Sequence, residues 1–64
     1  MWVESTGTSG VAYRLTTKTK NAGDALRTEY VVHRVTSNSE LIWGHYFNDL
    51  DSATRYWIKK LRGH

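Results

Sequence analysis

The sequence predicts an α+β fold, a three-stranded antiparallel sheet packed on one side by a C-terminal helix, and three observations carry that prediction. Apolar and polar residues alternate from Val11 to Lys20, and a second strand-like run rich in Tyr and Val spans Leu26 to Val35. Polar turn-forming stretches, Asn21-Ala22-Gly23-Asp24 and Ser37-Asn38-Ser39-Glu40, separate these runs from each other and from a third, Leu41 to Phe47. Beyond Phe47 the apolar period changes from that of a strand to that of a helix.

Each element has its own chemical reason. Residues 1–10, Met1-Trp2-Val3-Glu4 and then Ser, Thr and Gly, read as a flexible N-terminus or an extra edge strand. Residues 11–63 form a single β-β-β-α domain. In the first strand Val11, Tyr13 and Leu15 alternate with Ala12, Arg14, Thr16 and Lys18, and Gly23 supplies the positive φ that the following turn needs. The helix begins at Asp49, whose carboxylate can accept from unpaired first-turn amides, with Asn48 and Asp51 as rival or supporting positions. Leu50, Ala53, Trp57 and Leu61 make its apolar stripe, flanked by Thr54 and Ile58, while Arg55, Lys59 and Arg62 point the other way. Gly63 can close it in the left-handed conformation.

Two turn centres fix the registers. A first turn centred on Ala22-Gly23 sets Leu15 opposite Tyr30 and Tyr13 opposite Val32. A second centred on Asn38-Ser39 sets Tyr30 opposite Phe47, Val32 opposite His45 and Arg34 opposite Trp43. Both place Tyr13, Leu15, Tyr30, Val32, Trp43 and Phe47 on one face, which the helix stripe covers. Arg14, Thr16, Lys18, Arg27, Val31, His33, Val35, Ile42 and Tyr46 fall on the other. Aliphatic residues rimmed by cations mark an interaction surface.

Size and charge narrow the function. A chain of 64 residues without cysteine makes one domain, with no disulfide or cysteine-based zinc site to support a small core. Its three Trp, four Tyr and one Phe must supply much of that core. No apolar run has membrane-spanning length and the first residues do not resemble a signal peptide, so no membrane partner and a cytoplasmic location are expected. Nine Lys and Arg against six Asp and Glu give a formal charge of +3. The distribution says more: past Asp51 there are no acids, whereas Arg55, Lys59, Lys60 and Arg62 are basic.

Catalysis has little support. The carboxylates lie mostly in turns or at the helix cap, no general acid and base are paired, and the three His have no metal spacing. His33 and His45 lie on neighbouring strands but opposite faces. His33 with Arg14 and Lys18 could serve an RNase, yet an ordinary strand histidine explains it more simply. Phosphate-loop glycine patterns are absent, so no cofactor and no enzyme activity are expected. Tyr46 is the best placed ring to stack on a base, with Tyr56 next, whereas Trp43 and Trp57 suit packing.

Ile42-Trp43-Gly44-His45-Tyr46-Phe47, followed by the polar cap and Ala53, resembles the third strand and helix start of AP2-type and integrase arm-type DNA-binding domains. The similar order covers roughly residues 11–62. The resemblance implies a sheet that enters the major groove, with Arg14, Thr16, Lys18 and Arg27 in groove-facing positions; the dense arginine series of those families is not present. The expected function is a small non-enzymatic module binding duplex DNA through Arg14, Thr16, Lys18, Arg27, Tyr46, Lys59, Lys60 and Arg62. The alternative is a protein-interaction module or homodimer that docks through Val31, Val35, Ile42 and Tyr46.

Overall fold

A computed structural model describes residues 1–63, with the side chain of Ala22 left aside. It has four antiparallel strands and one helix: β1 (Trp2–Thr6), β2 (Ala12–Ala22), β3 (Ala25–Val35), β4 (Leu41–Phe47) and α1 (Leu50–Leu61), with the strands in sequential order across one sheet. The expected α+β class holds, but the sheet has four strands rather than three. The extra edge strand is β1, which pairs from Trp2↔Thr16 to Thr6↔Ala12. All five of its residues are exposed, so it lacks the burial contrast that makes a strand legible.

The β2–β3 turn lies one residue later than the Ala22-Gly23 centre. Ala22 pairs with Ala25 around Gly23-Asp24, and Gly23 takes φ 66°, as the first position of a type II′ turn requires. Leu15 therefore faces Val32, and Tyr13 faces Arg34, each two residues from the expected partner. A shift of two keeps every side chain on its expected face.

The β3–β4 hairpin is irregular at two places. Thr36 and Glu40 close a loop in which the Ser39 amide donates to the Thr36 carbonyl (2.9 Å) and Ser39 has φ 65°, the pattern of a type I turn followed by a left-handed residue. This puts Val35 opposite Leu41 and Arg34 opposite Ile42, one residue off the expected pairing. A bulge between Val32 and Arg34 then restores it, so that Val32 faces His45 and Tyr30 faces Phe47 as expected.

The helix covers the face of Leu15 and Val32. Ala53 is fully buried against that pair, with Tyr30, Phe47, Tyr56 and Trp57 packed around them. Trp57 Nε1–H donates to the Tyr13 carbonyl at 2.9 Å, which anchors the indole. Asp49 is the N-cap: one carboxylate oxygen accepts from the Ser52 amide (2.8 Å), the other from its hydroxyl (2.9 Å). The buried side is rotated from the expected stripe, because Leu50 is half exposed while Tyr56 turns inward. At the far end, the Thr8 amide donates to the Leu61 carbonyl (2.9 Å) and Gly7 packs beneath it. One of the unpaired carbonyls that end a helix is thereby satisfied by the β1–β2 loop.

Candidate nucleic-acid interface

The sheet face away from the helix carries, in register, Trp2, Thr16, Val31 and Tyr46 in one cross-strand row and Glu4, Arg14 and His33 in the next. Towards the β2–β3 tip follow Lys18 opposite Glu29 and Lys20 opposite Arg27. Of the expected nucleic-acid contacts, the structure brings Arg14, Thr16, Lys18, Arg27 and Tyr46 together here. Lys59, Lys60 and Arg62 lie on or just after the helix, which packs against the other face of the sheet.

Beyond the last pairings of β1 and β4, the β2–β3 hairpin continues as a two-stranded ribbon. From Lys18–Ala22 and Ala25–Glu29 it projects roughly 16 Å at the usual rise per residue. All described side chains from Lys18 to Thr28 are exposed, so neither face of the ribbon tip is used for packing. Lys20 and Arg27 stand directly opposite each other, an unfavourable like-charge pair that an anion would relieve. Lys20 also reaches Glu29 at 3.3 Å.

Arg14 is more constrained. Its guanidinium lies 3.9 Å from the Trp2 ring centroid, and its Nη2 contacts Glu4 Oε1 at 2.9 Å. β1 thus holds Arg14 between a ring and a carboxylate, an arrangement that the sequence alone did not show. Tyr46 is 61 % exposed, with Lys18 Nζ 6.0 Å from its ring centroid. Thr16 is half-buried between its neighbours.

The apolar patch is smaller than expected. Val31 is fully buried, with Thr16 and Tyr46 as its cross-strand neighbours, and so offers no surface to a partner. Ile42 is half-buried and the tighter hairpin loop pairs it with Arg34 instead of Val35. Val35 is half-buried as well, leaving Tyr46 as the exposed member of that set.

His33 sits among the cations. Its Nδ1 is buried with no hydrogen-bond partner, and loss of water, then Lys18, then Arg14 hold its pKa below the ordinary value. A Cβ at Gly44 would come within 2.8 Å of its Nε2, so the missing side chain makes room for the imidazole. His45 lies on the opposite face, as expected, with its ring 4.7 Å from that of Tyr56.

On the helix side, the bulge opens a small cleft whose floor includes Tyr13 and Val32 and whose rim includes Arg34, Trp43 and Lys60. Trp43 was expected to pack, yet it is 66 % exposed. Tyr56, expected as a stacking surface, is half-buried between Phe47 and His45. The sequence signal for this irregularity was the lone Gly44 within a strand pattern.

Among the described residues, no group of three or more His, Asp or Glu is placed to hold a metal ion. No described helix is long and apolar enough to cross a membrane. Comparisons with protein-family models, curated proteins and solved structures returned no significant match.

Proposed function

We propose that the chain is a small non-enzymatic module that binds duplex DNA by placing its open sheet face and projecting β2–β3 ribbon in the major groove. The observation that carries this reading is the uncovered ribbon with Lys18, Lys20 and Arg27 on one face, continuous with Arg14. That face sets Arg14, Lys18, Lys20 and Arg27 against Glu4 and Glu29, a positive balance facing outward. A major groove about 12 Å wide admits a two-stranded ribbon. Arg27 suits a guanine edge or a phosphate, while Lys18 and Lys20 act as mobile phosphate contacts. The resemblance of the β4–α1 junction to AP2-type and integrase arm-type domains points the same way. In this role the protein acts in the cytoplasm.

Fluorescence anisotropy with a labelled duplex tests the proposal. Engagement of about four phosphates gives a log–log salt slope of roughly −3 to −4. Lys18→Glu with Arg27→Glu should abolish binding; affinity insensitive to both salt and charge reversal contradicts the reading. A protein partner or homodimer is the weaker reading, because Val31 is buried and the apolar patch is reduced largely to Tyr46. Val35→Asp with sedimentation velocity tests it: loss of a dimer supports that alternative.

A further inference from the structure

Trp43 carries a cost that its packing does not explain. Its φ of 54° lies in the left-handed region, which a bulky side chain rarely occupies. The residue is 66 % exposed, so little apolar burial offsets that strain. Strain held at a bulge points to a constrained surface. Around it the helix and β4 converge: Arg34 Cζ is 5.0 Å from the Trp43 ring centroid, and Lys60 Nζ is 5.3 Å from that of Tyr56. The His45 ring lies tilted against that of Tyr56. None of the residues lining this cleft is acidic, and neither Arg34 nor Lys60 forms an ion pair among the described residues.

We propose that this cleft binds a nucleotide unit, its phosphate between Arg34 and Lys60 and its base against the exposed Trp43 ring. The cleft volume is about 80 Å³. A single water needs only about 10–15 Å³ of such space, so the cleft has room for an oxyanion, with Trp43 exposed at its rim. Stacking on Trp43 orients the Arg34 guanidinium while leaving its in-plane N–H edge free to donate to phosphate. Base stacking on an aromatic ring needs no particular base, so the site accepts either a free nucleotide or a residue of an unpaired strand. It is separate from the duplex-binding face and does not rest on that reading.

NMR titration of the ¹⁵N-labelled protein with adenosine monophosphate, adenosine, inorganic phosphate and a short oligodeoxyadenylate tests the site. Adenosine monophosphate should shift the Trp43 indole and the Gly44 and His45 amides saturably, with adenosine and phosphate each about tenfold weaker. Trp43→Gly and Lys60→Met should each weaken nucleotide binding about tenfold while Lys18→Glu leaves it unchanged. Trp43→Gly relieves the backbone strain, and Lys60→Met keeps an apolar stem beside Tyr56, so thermal melts can verify both folds. Oligodeoxyadenylate binding tighter than the mononucleotide at these residues identifies an unpaired strand as the source; equal or weaker binding identifies the free nucleotide. No saturable shift, phosphate binding as tightly as the nucleotide, or shifts confined to Lys18 and Arg27 overturns the proposal. Duplex binding retained by Trp43→Gly keeps the two sites experimentally distinct.

Discussion

His33 couples stability and binding in opposite directions. Its folded pKa lies below the ordinary 6.5 because desolvation, Lys18 and Arg14 disfavour the charged ring. Between the folded pKa and 6.5, the unfolded chain binds more protons, so stability is fully present above about pH 6.5 and declines as pH falls through the folded value. His33→Gln should flatten this part of a melting-temperature profile measured from about pH 8 to 5. Protonation also adds a cation beside Arg14 and Lys18, so duplex affinity should rise over the same window and His33→Gln should remove the rise. Asp49 acts lower: hydrogen bonds from Ser52 depress its pKa below 3.8, so its contribution is present above that value and lost as pH falls through the folded one. Asp49→Ala should lower the melting temperature at neutral pH and diminish the acid-side loss. The Asp49 cap was legible because Asp-Leu-Asp-Ser precedes a helical period; the His33–Gly44 contact was not, because it depends on a bulge.

At the scale of elements, two irregularities in one hairpin cancel. The left-handed Ser39 loop moves β4 by one position near the turn, and the Trp43-Gly44 bulge moves it back before Tyr46 and Phe47. Alternation along β3 and β4 correctly assigned Tyr30, Val32, His45 and Phe47, since a one-residue error there would expose the buried row. It misassigned Ile42 because the local slip lies between the turn and the bulge. It also left residues 1–10 open, since β1 is exposed on both faces and has no apolar alternation to reveal it. Trp43→Gly should preserve the hairpin and leave stability unchanged or raised by about 1 kcal/mol, as a denaturant midpoint would show. The β1–β2 loop is less tolerant: an added Cβ at Gly7 would lie 2.5 Å from the Leu61 carbonyl oxygen. Gly7→Ala should destabilise by about 1–3 kcal/mol in the same measurement.

The whole molecule is asymmetric, with extents of 43 × 25 × 17 Å and a core set between the helix and the broad end of the sheet. The ribbon extends away from that core, so charge changes at its tip can alter binding with little change in stability. Core substitution should do the reverse: Leu15→Ala should cost about 2–5 kcal/mol, a large part of the roughly 3–10 kcal/mol expected for a domain of this size. The helix was the clearest element in the sequence, yet it packs on the opposite side of the sheet from Arg14 and Lys18, so its cations fall outside the proposed groove-facing set. Residue spacing identified both charged groups; the layering sets them on opposite sides of the sheet. The most direct measurement of the central claim is duplex affinity across salt for the unchanged protein, Lys18→Glu/Arg27→Glu and the helix control Lys59→Glu/Arg62→Glu, with melts verifying each fold. A salt slope of roughly −3 to −4, lost with the ribbon pair and largely retained by the helix control, is the predicted result. Equal losses in both variants, or unchanged binding after reversal of the ribbon charges, would contradict a groove-binding sheet face.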